Sequence, residues 1–102
     1  MDMKNILNYS NQTIDHYNAG EYVVINGAPA FGLYYIAQGL IELIYKNEEG
    51  FFAKVIKSKG DTIGDENLNT HYFTFDAIAL EESKLIFIDK DFIFTHPNND
   101  RE

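Results

Sequence analysis

The chain has 102 residues, 45% of them hydrophobic and 15% aromatic, no cysteine, and a formal net charge of -8. That length suits one domain with a single core rather than two, and the apolar content excludes a disordered chain. The absence of cysteine excludes disulfides, thiolate zinc sites and cysteine nucleophiles, and the acidity argues against contact with DNA, RNA or an anionic membrane surface.

In chain order, Lys4 to Tyr9 suits one short helical turn, and residues 1–13 are read as a segment preceding the domain. From Ile14 the pattern is strands and turns. Tyr22 to Ile25 is β-branched and aromatic and runs into Asn26-Gly27, a strong turn signal. Leu33 to Ala37 is a second apolar run, closed by Gln38-Gly39. Leu40 to Lys46 follows, and Asn47-Glu48-Glu49-Gly50 makes a hairpin loop into a strand over Phe51 to Ser58. Lys59-Gly60-Asp61 turns the chain into the short segment Thr62-Ile63-Gly64. Asp65 to His71 reads as a polar loop. Tyr72 to Leu80 alternates, with Phe73, Phe75, Ala77 and Ala79 on one face. Glu81-Glu82-Ser83 turns into a last strand over Lys84 to Asp89. Asp89 then caps a helical turn through Phe92 and Phe94, limited by Pro97, and residues 96–102 form a polar tail. Strands recurring at roughly 8–12-residue spacing predict an all-β sandwich or barrel.

Three landmarks fall in a telling order: Gly20-Glu21-Tyr22-Val23-Val24-Ile25-Asn26-Gly27-Ala28-Pro29, then Leu33-Tyr34-Tyr35-Ile36-Ala37-Gln38-Gly39-Leu40-Ile41-Glu42-Leu43, then Lys59-Gly60-Asp61-Thr62-Ile63-Gly64-Asp65. Together they resemble the effector domain of the catabolite-activator and fumarate-nitrate-regulator family, over about Asp15 to Phe94. The resemblance implies a double-stranded β-helix, or jelly roll, over residues 14–95 with short flanking helical turns. It implies a regulatory module, with a small-molecule effector, a homodimer or a protein partner among the expected associations; no cofactor is expected, and the lack of a signal peptide or membrane span is read as a cytoplasmic location. The tight reversals expected at Gly39 and Gly60 are explained by turns alone. Gly64 fits either a turn or the close approach of a ligand.

The family's pocket is a phosphate-binding cassette. Backbone N–H groups at a short helix, an arginine for the cyclic phosphate and a glutamate for the ribose hydroxyl make up its chemistry. By this resemblance the candidate cassette is Ile63, Gly64, Asp65, Glu66, Phe73 and Thr74. Gly64 matches the opening glycine, and Asp65 stands in the glutamate position, one methylene shorter. The arginine position falls at Phe73. No Lys or Arg lies between Lys59 and Lys84, and the one arginine is Arg101. A buried phosphate beside Asp65, Glu66 and Asp76 with no cation would be strongly disfavoured. The expectation is therefore a module that does not bind cAMP or cGMP tightly. The family's long dimerisation helix and helix-turn-helix would lie beyond Glu102. The chain is read as a stand-alone domain or as part of a longer product, with no recognition helix of its own.

Two rival readings belong to other classes. An altered-pocket small-molecule sensor requires a cavity lined by Ile63, Gly64, Asp65 and Thr74. A cupin-like metal protein requires converging histidines, but His16, His71 and His96 are isolated in sequence. Asp65-Glu66-Asn67-Leu68-Asn69, with Asp76 at the twelfth place, echoes a calcium loop. Thr70 stands where glycine is needed, so a solvated acidic loop is the expected state. Ser10, Ser58 and Ser83 lack a nucleophile context, and Glu48-Glu49 and Glu81-Glu82 lie in turns, so no enzyme is expected. Tyr34, Tyr35, Phe51, Phe52, Phe73 and Phe75 are expected mainly in the core. Lys54, Lys57 and Lys59 form the one basic cluster, too small for a nucleic-acid footprint. No stretch is long and apolar enough for a signal peptide or a membrane span.

Overall fold

The computed structural model describes residues 13–50 and 52–95. The expected helical turn over Lys4 to Tyr9, Phe51 and the tail 96–102 lie outside them.

Eight strands form two antiparallel four-stranded sheets. In chain order they are β1 (Thr13–Tyr17), β2 (Tyr22–Val24), β3 (Gly32–Gln38), β4 (Leu40–Lys46), β5 (Phe52–Ser58), β6 (Thr62–Ile63), β7 (Asp76–Ala79) and β8 (Ser83–Asp89). One sheet has the order β1-β8-β3-β6 and the other β2-β7-β4-β5. Consecutive strands alternate between layers except at the β4–β5 hairpin, which stays within the second sheet, as in the jelly roll the resemblance implies. A 3-10 helix covers Asp65–Asn67, and α1 (Lys90–Thr95) closes the described chain.

Period-two patterning places the core. Ile36 and Leu85 of the first sheet meet Ile41, Leu43, Phe75, Ala77 and Ala79 of the second, all essentially without exposure. The opposite face of the first sheet carries Leu33, Ile86 and Ile88, covered by Ile93 and Phe92 of α1. The Asp91 N–H donates to Asp89 Oδ1 at 2.7 Å, the cap expected from sequence, and sets the start of α1.

The landmark residues have structural roles. The Ser58 N–H donates to Asp61 Oδ2 at 2.8 Å, and the Asp61 N–H returns to the Ser58 carbonyl at 2.9 Å. Gly60 and Asp61 then bond Ile36 of β3 through N–H and carbonyl, both at 2.9 Å, which aligns β6 on β3. Gly39 takes a φ of +112°, and a Cβ there would collide with the Ser83 side chain. Its glycine answers to packing as well as to the turn.

Three expectations need correction. The run Tyr72 to Leu80 keeps its inward alternation, but only Asp76–Ala79 is strand. Its first part pairs instead with the loop after β2: the Ala30 N–H donates to the His71 carbonyl, the Gly27 N–H to the Phe73 carbonyl and the Phe73 N–H to the Ala28 carbonyl, each at 2.9 Å, and a bridge joins Pro29 and Tyr72. Phe52 is not core. It is 63% exposed on β5, an edge strand whose Val55 and Ile56 are exposed as well. The segment Asp65 to His71 is no purely solvated loop, because its 3-10 helix buries Asn67. Asp76 faces away from any calcium-loop role, its Oδ1 accepting from the Asn26 N–H at 2.8 Å.

Candidate functional site

The candidate cassette residues come together around the 3-10 helix. β6 pairs Ile63 with Tyr34 and Thr62 with Tyr35, which delivers Gly64 to the helix N-cap at φ +101°. That backbone state disfavours any side chain. Space is scarce too: a Cβ on Gly64 would lie 3.1 Å from the Phe73 ring. Gly64 thus combines a special backbone with a close approach by the protein's own phenylalanine.

Phe73 is only 6% exposed. Its backbone is fixed on both sides, the N–H donating to the Ala28 carbonyl and the carbonyl accepting from Gly27, both at 2.9 Å. Its ring meets Phe75 edge-on at 5.8 Å, and Phe75 in turn packs on Tyr45 at 5.4 Å. The Tyr45 hydroxyl donates to Glu66 Oε2 at 2.8 Å. Burial, then the bond to Glu66 and its charge, pushes the Tyr45 phenol up to about 12. A continuous aromatic row, Phe73–Phe75–Tyr45, therefore links Gly64 at the N-cap of the 3-10 helix to Glu66 in its first turn.

Around this row, Ile63 and Gly64 are buried, whereas Asp65, Glu66 and Thr74 are exposed. None of the grooves at Phe31, at Lys90 or beside Phe52 is lined by Ile63, Gly64, Asp65 or Thr74. Asn67 is 2% exposed, with Nδ2 3.2 Å from Thr70 Oγ1 and 3.4 Å from Thr74 Oγ1. Its Oδ1 is buried with no protein partner among the described residues. Lys90 of α1 reaches the same loop and donates from Nζ to the Thr70 carbonyl at 2.9 Å.

Tyr45 and Lys90 are candidate site residues the sequence reading did not single out, and Asn67 entered it only as an oxygen of the calcium-like loop. Tyr45 was detectable as an inward position of β4. Asn67 resembles its polar neighbours in every sequence respect, and Lys90 arrives through tertiary structure alone. His16 on β1 and His71 before β7 are both exposed and separate. Among the described residues no group of three or more His, Cys, Asp or Glu could hold a metal, and no helix is long and apolar enough to cross a membrane.

Comparison with known proteins follows this geometry. The model of the cyclic nucleotide-binding domain family matches residues 14–95. No curated protein matches. Among solved structures the chain is similar to the Thermus thermophilus catabolite activator protein, with a TM-score of 0.78 and 19% identity over 91% of this chain and 44% of that one. It is also similar to the c-di-GMP responsive global regulator CLP of Xanthomonas campestris, with a TM-score of 0.79 and 17% identity over 92% of this chain and 47% of that one. A third neighbour is the regulatory subunit of a cAMP-independent protein kinase A from Trypanosoma cruzi bound to guanosine, with a TM-score of 0.75 and 24% identity over 82% of this chain and 30% of that one. The chain thus spans less than half of each of these proteins.

Proposed function

The chain belongs to the cyclic nucleotide-binding domain family, and from that premise we propose a regulatory module of the catabolite-activator and fumarate-nitrate-regulator type whose cassette does not hold a cyclic phosphate tightly. The module answers to another small molecule or to a protein partner. The observation carrying this reading is the Phe73 ring packed on Gly64, at the position where the family resemblance places a guanidinium. A phosphate brought to Gly64 would meet an aromatic edge and the exposed acids Asp65 and Glu66. Two like charges and no counter-charge make that transfer from water unfavourable. The cation that does reach this loop, Lys90, is engaged by the Thr70 carbonyl.

The fold itself leaves room for other ligands. One neighbour is bound to guanosine, a nucleoside with no phosphate, and another is described as responsive to c-di-GMP. For a protein partner, the supporting surface is β5, an edge strand with Phe52, Val55 and Ile56 exposed.

The test is a thermal-shift titration with cAMP and cGMP to millimolar concentration. A ligand at a hundred times its dissociation constant adds about 2.7 kcal/mol, a rise of several degrees in a domain of this size. The expected result is no rise with either nucleotide. A rise of that size would overturn the proposal and show that backbone N–H groups or a lysine replace the arginine.

A further inference from the structure

We propose that the groove between the inner face of β1, β3 and β8 and the loop after β2 binds a small organic cation, an ammonium group carrying apolar substituents. The groove encloses about 390 Å³, and its walls include the rings of Phe31, Tyr34, Phe73 and Phe87 together with Asp15. Tyr34 and Phe87 are direct cross-strand partners with ring centroids 5.2 Å apart. Phe31 stands 68% exposed at the rim, a large apolar ring held in water.

The strand register fixes the charge of this face. Thr13 pairs with Phe87, Asp15 with Leu85, and Phe87 in turn with Tyr34. Side chains alternate, so the inner face presents Thr13, Asp15 and Tyr17 from β1, Leu85 and Phe87 from β8, and Tyr34 and Ile36 from β3. None of these is a cation. His16 and Lys84, the neighbouring basic pair, belong to the opposite face. Asp15 is half-buried, and its carboxylate has no hydrogen-bond or ion-pair partner among the described residues.

A carboxylate among four aromatic rings selects its ligand by elimination. An anion, a cyclic nucleotide included, is repelled by Asp15. A neutral apolar molecule fits the rings but strips water from Asp15 and offers nothing in return. An alkylated ammonium satisfies both walls, through Coulomb attraction to Asp15 and contact of its polarised alkyl groups with the ring faces. The net charge of -8 also favours the approach of a cation. This site uses none of the cassette's phosphate chemistry and stands whether or not the cassette binds a nucleotide.

The probe is choline, compared with neohexanol, its uncharged carbon isostere, at matched ionic strength. Binding is followed through the amide resonances of isotope-labelled protein. Choline is expected to shift Asp15, Phe31 and Phe87 saturably, and to bind about three- to tenfold more tightly than neohexanol, the preference that an ion pair and cation–π contact give in a partly exposed groove. Asp15→Asn should remove that preference and leave neohexanol binding unchanged. Phe31→Ala should weaken both ligands. Both changes are at partly or fully exposed positions, and the remaining amide spectrum reports whether the variants are folded. Equal binding of the two probes, no saturable shift with tens of millimolar choline, or an Asp15→Asn variant that still prefers choline would each overturn the proposal.

Discussion

Removing the Phe73 ring tests whether the cassette is filled by the protein itself. In Phe73→Ala the deleted ring is one that is 6% exposed, meets Phe75 edge-on at 5.8 Å and rests against Gly64. Buried Phe→Ala substitutions cost about 3–5 kcal/mol, including the cavity they leave. One side of this ring borders the open groove at Phe31, so water can enter part of the vacated space. That places the cost at the low end, about 3 kcal/mol, with the lost aromatic pair included. For a domain of this size such a loss lowers Tm by roughly 12 °C or more. Urea denaturation at neutral pH gives the free energy, and an unchanged m-value shows that the unfolded state is not the source. A cost below about 1 kcal/mol would refute the reasoning. It would mean that the ring is not held against Gly64 in solution and that the cassette is open to a ligand.

Gly39→Ala should destabilise by about 3 kcal/mol, because it combines a left-handed backbone with a collision at Ser83; Gly20→Ala, equally left-handed but facing open space, should cost clearly less in the same urea titration. The phenol of Tyr45 is raised from 10.0 to about 12, so the neutral form is the one stabilised by folding. Its contribution is fully present below pH 10 and is lost as pH rises toward 12. Stability measured across that interval should fall less steeply in Tyr45→Phe than in the parent, and identical slopes would remove Tyr45 as the cause.

The strands were legible because their inner positions are separated by two residues and their ends carry turn residues. Leu40 to Lys46 and Asn47 to Gly50 match the structure closely for this reason. Phe73, Phe75, Ala77 and Ala79 were legible as one buried face even though the strand beneath them is shorter than expected. What shortened it is a non-local pairing with residues 27–30, which no local pattern encodes. Phe52 misled because an aromatic residue in a β-rich run is usually core, and only topology places β5 at an edge. The candidate cassette was placed by the resemblance, and the Phe73 ring against Gly64 was not foreseen. Tyr45 reaching Glu66 from β4, and the ring beside Gly64, are tertiary contacts that no local pattern encodes.

The same residues bear on how family and ligand would separate if the proposed reading holds. Gly60 and Asp61 close a turn and fasten β6 to Ile36, Ile63 is fully buried, and Gly39 lets β4 leave β3 beside Ser83. Each would be needed for folding with no ligand present at all. A sequence can therefore keep every landmark under selection for stability while the few positions that meet a ligand change freely. Phe73 illustrates the consequence. An arginine in a closed site requires a partner to offset its burial, so a domain that lost its phosphate ligand would be destabilised by keeping it. A phenylalanine at the same place gains from burial and from Phe75. On the proposed reading, a cassette without its phosphate is better filled by apolar side chains, and the aromatic row from Phe73 through Phe75 to Tyr45 fits that expectation.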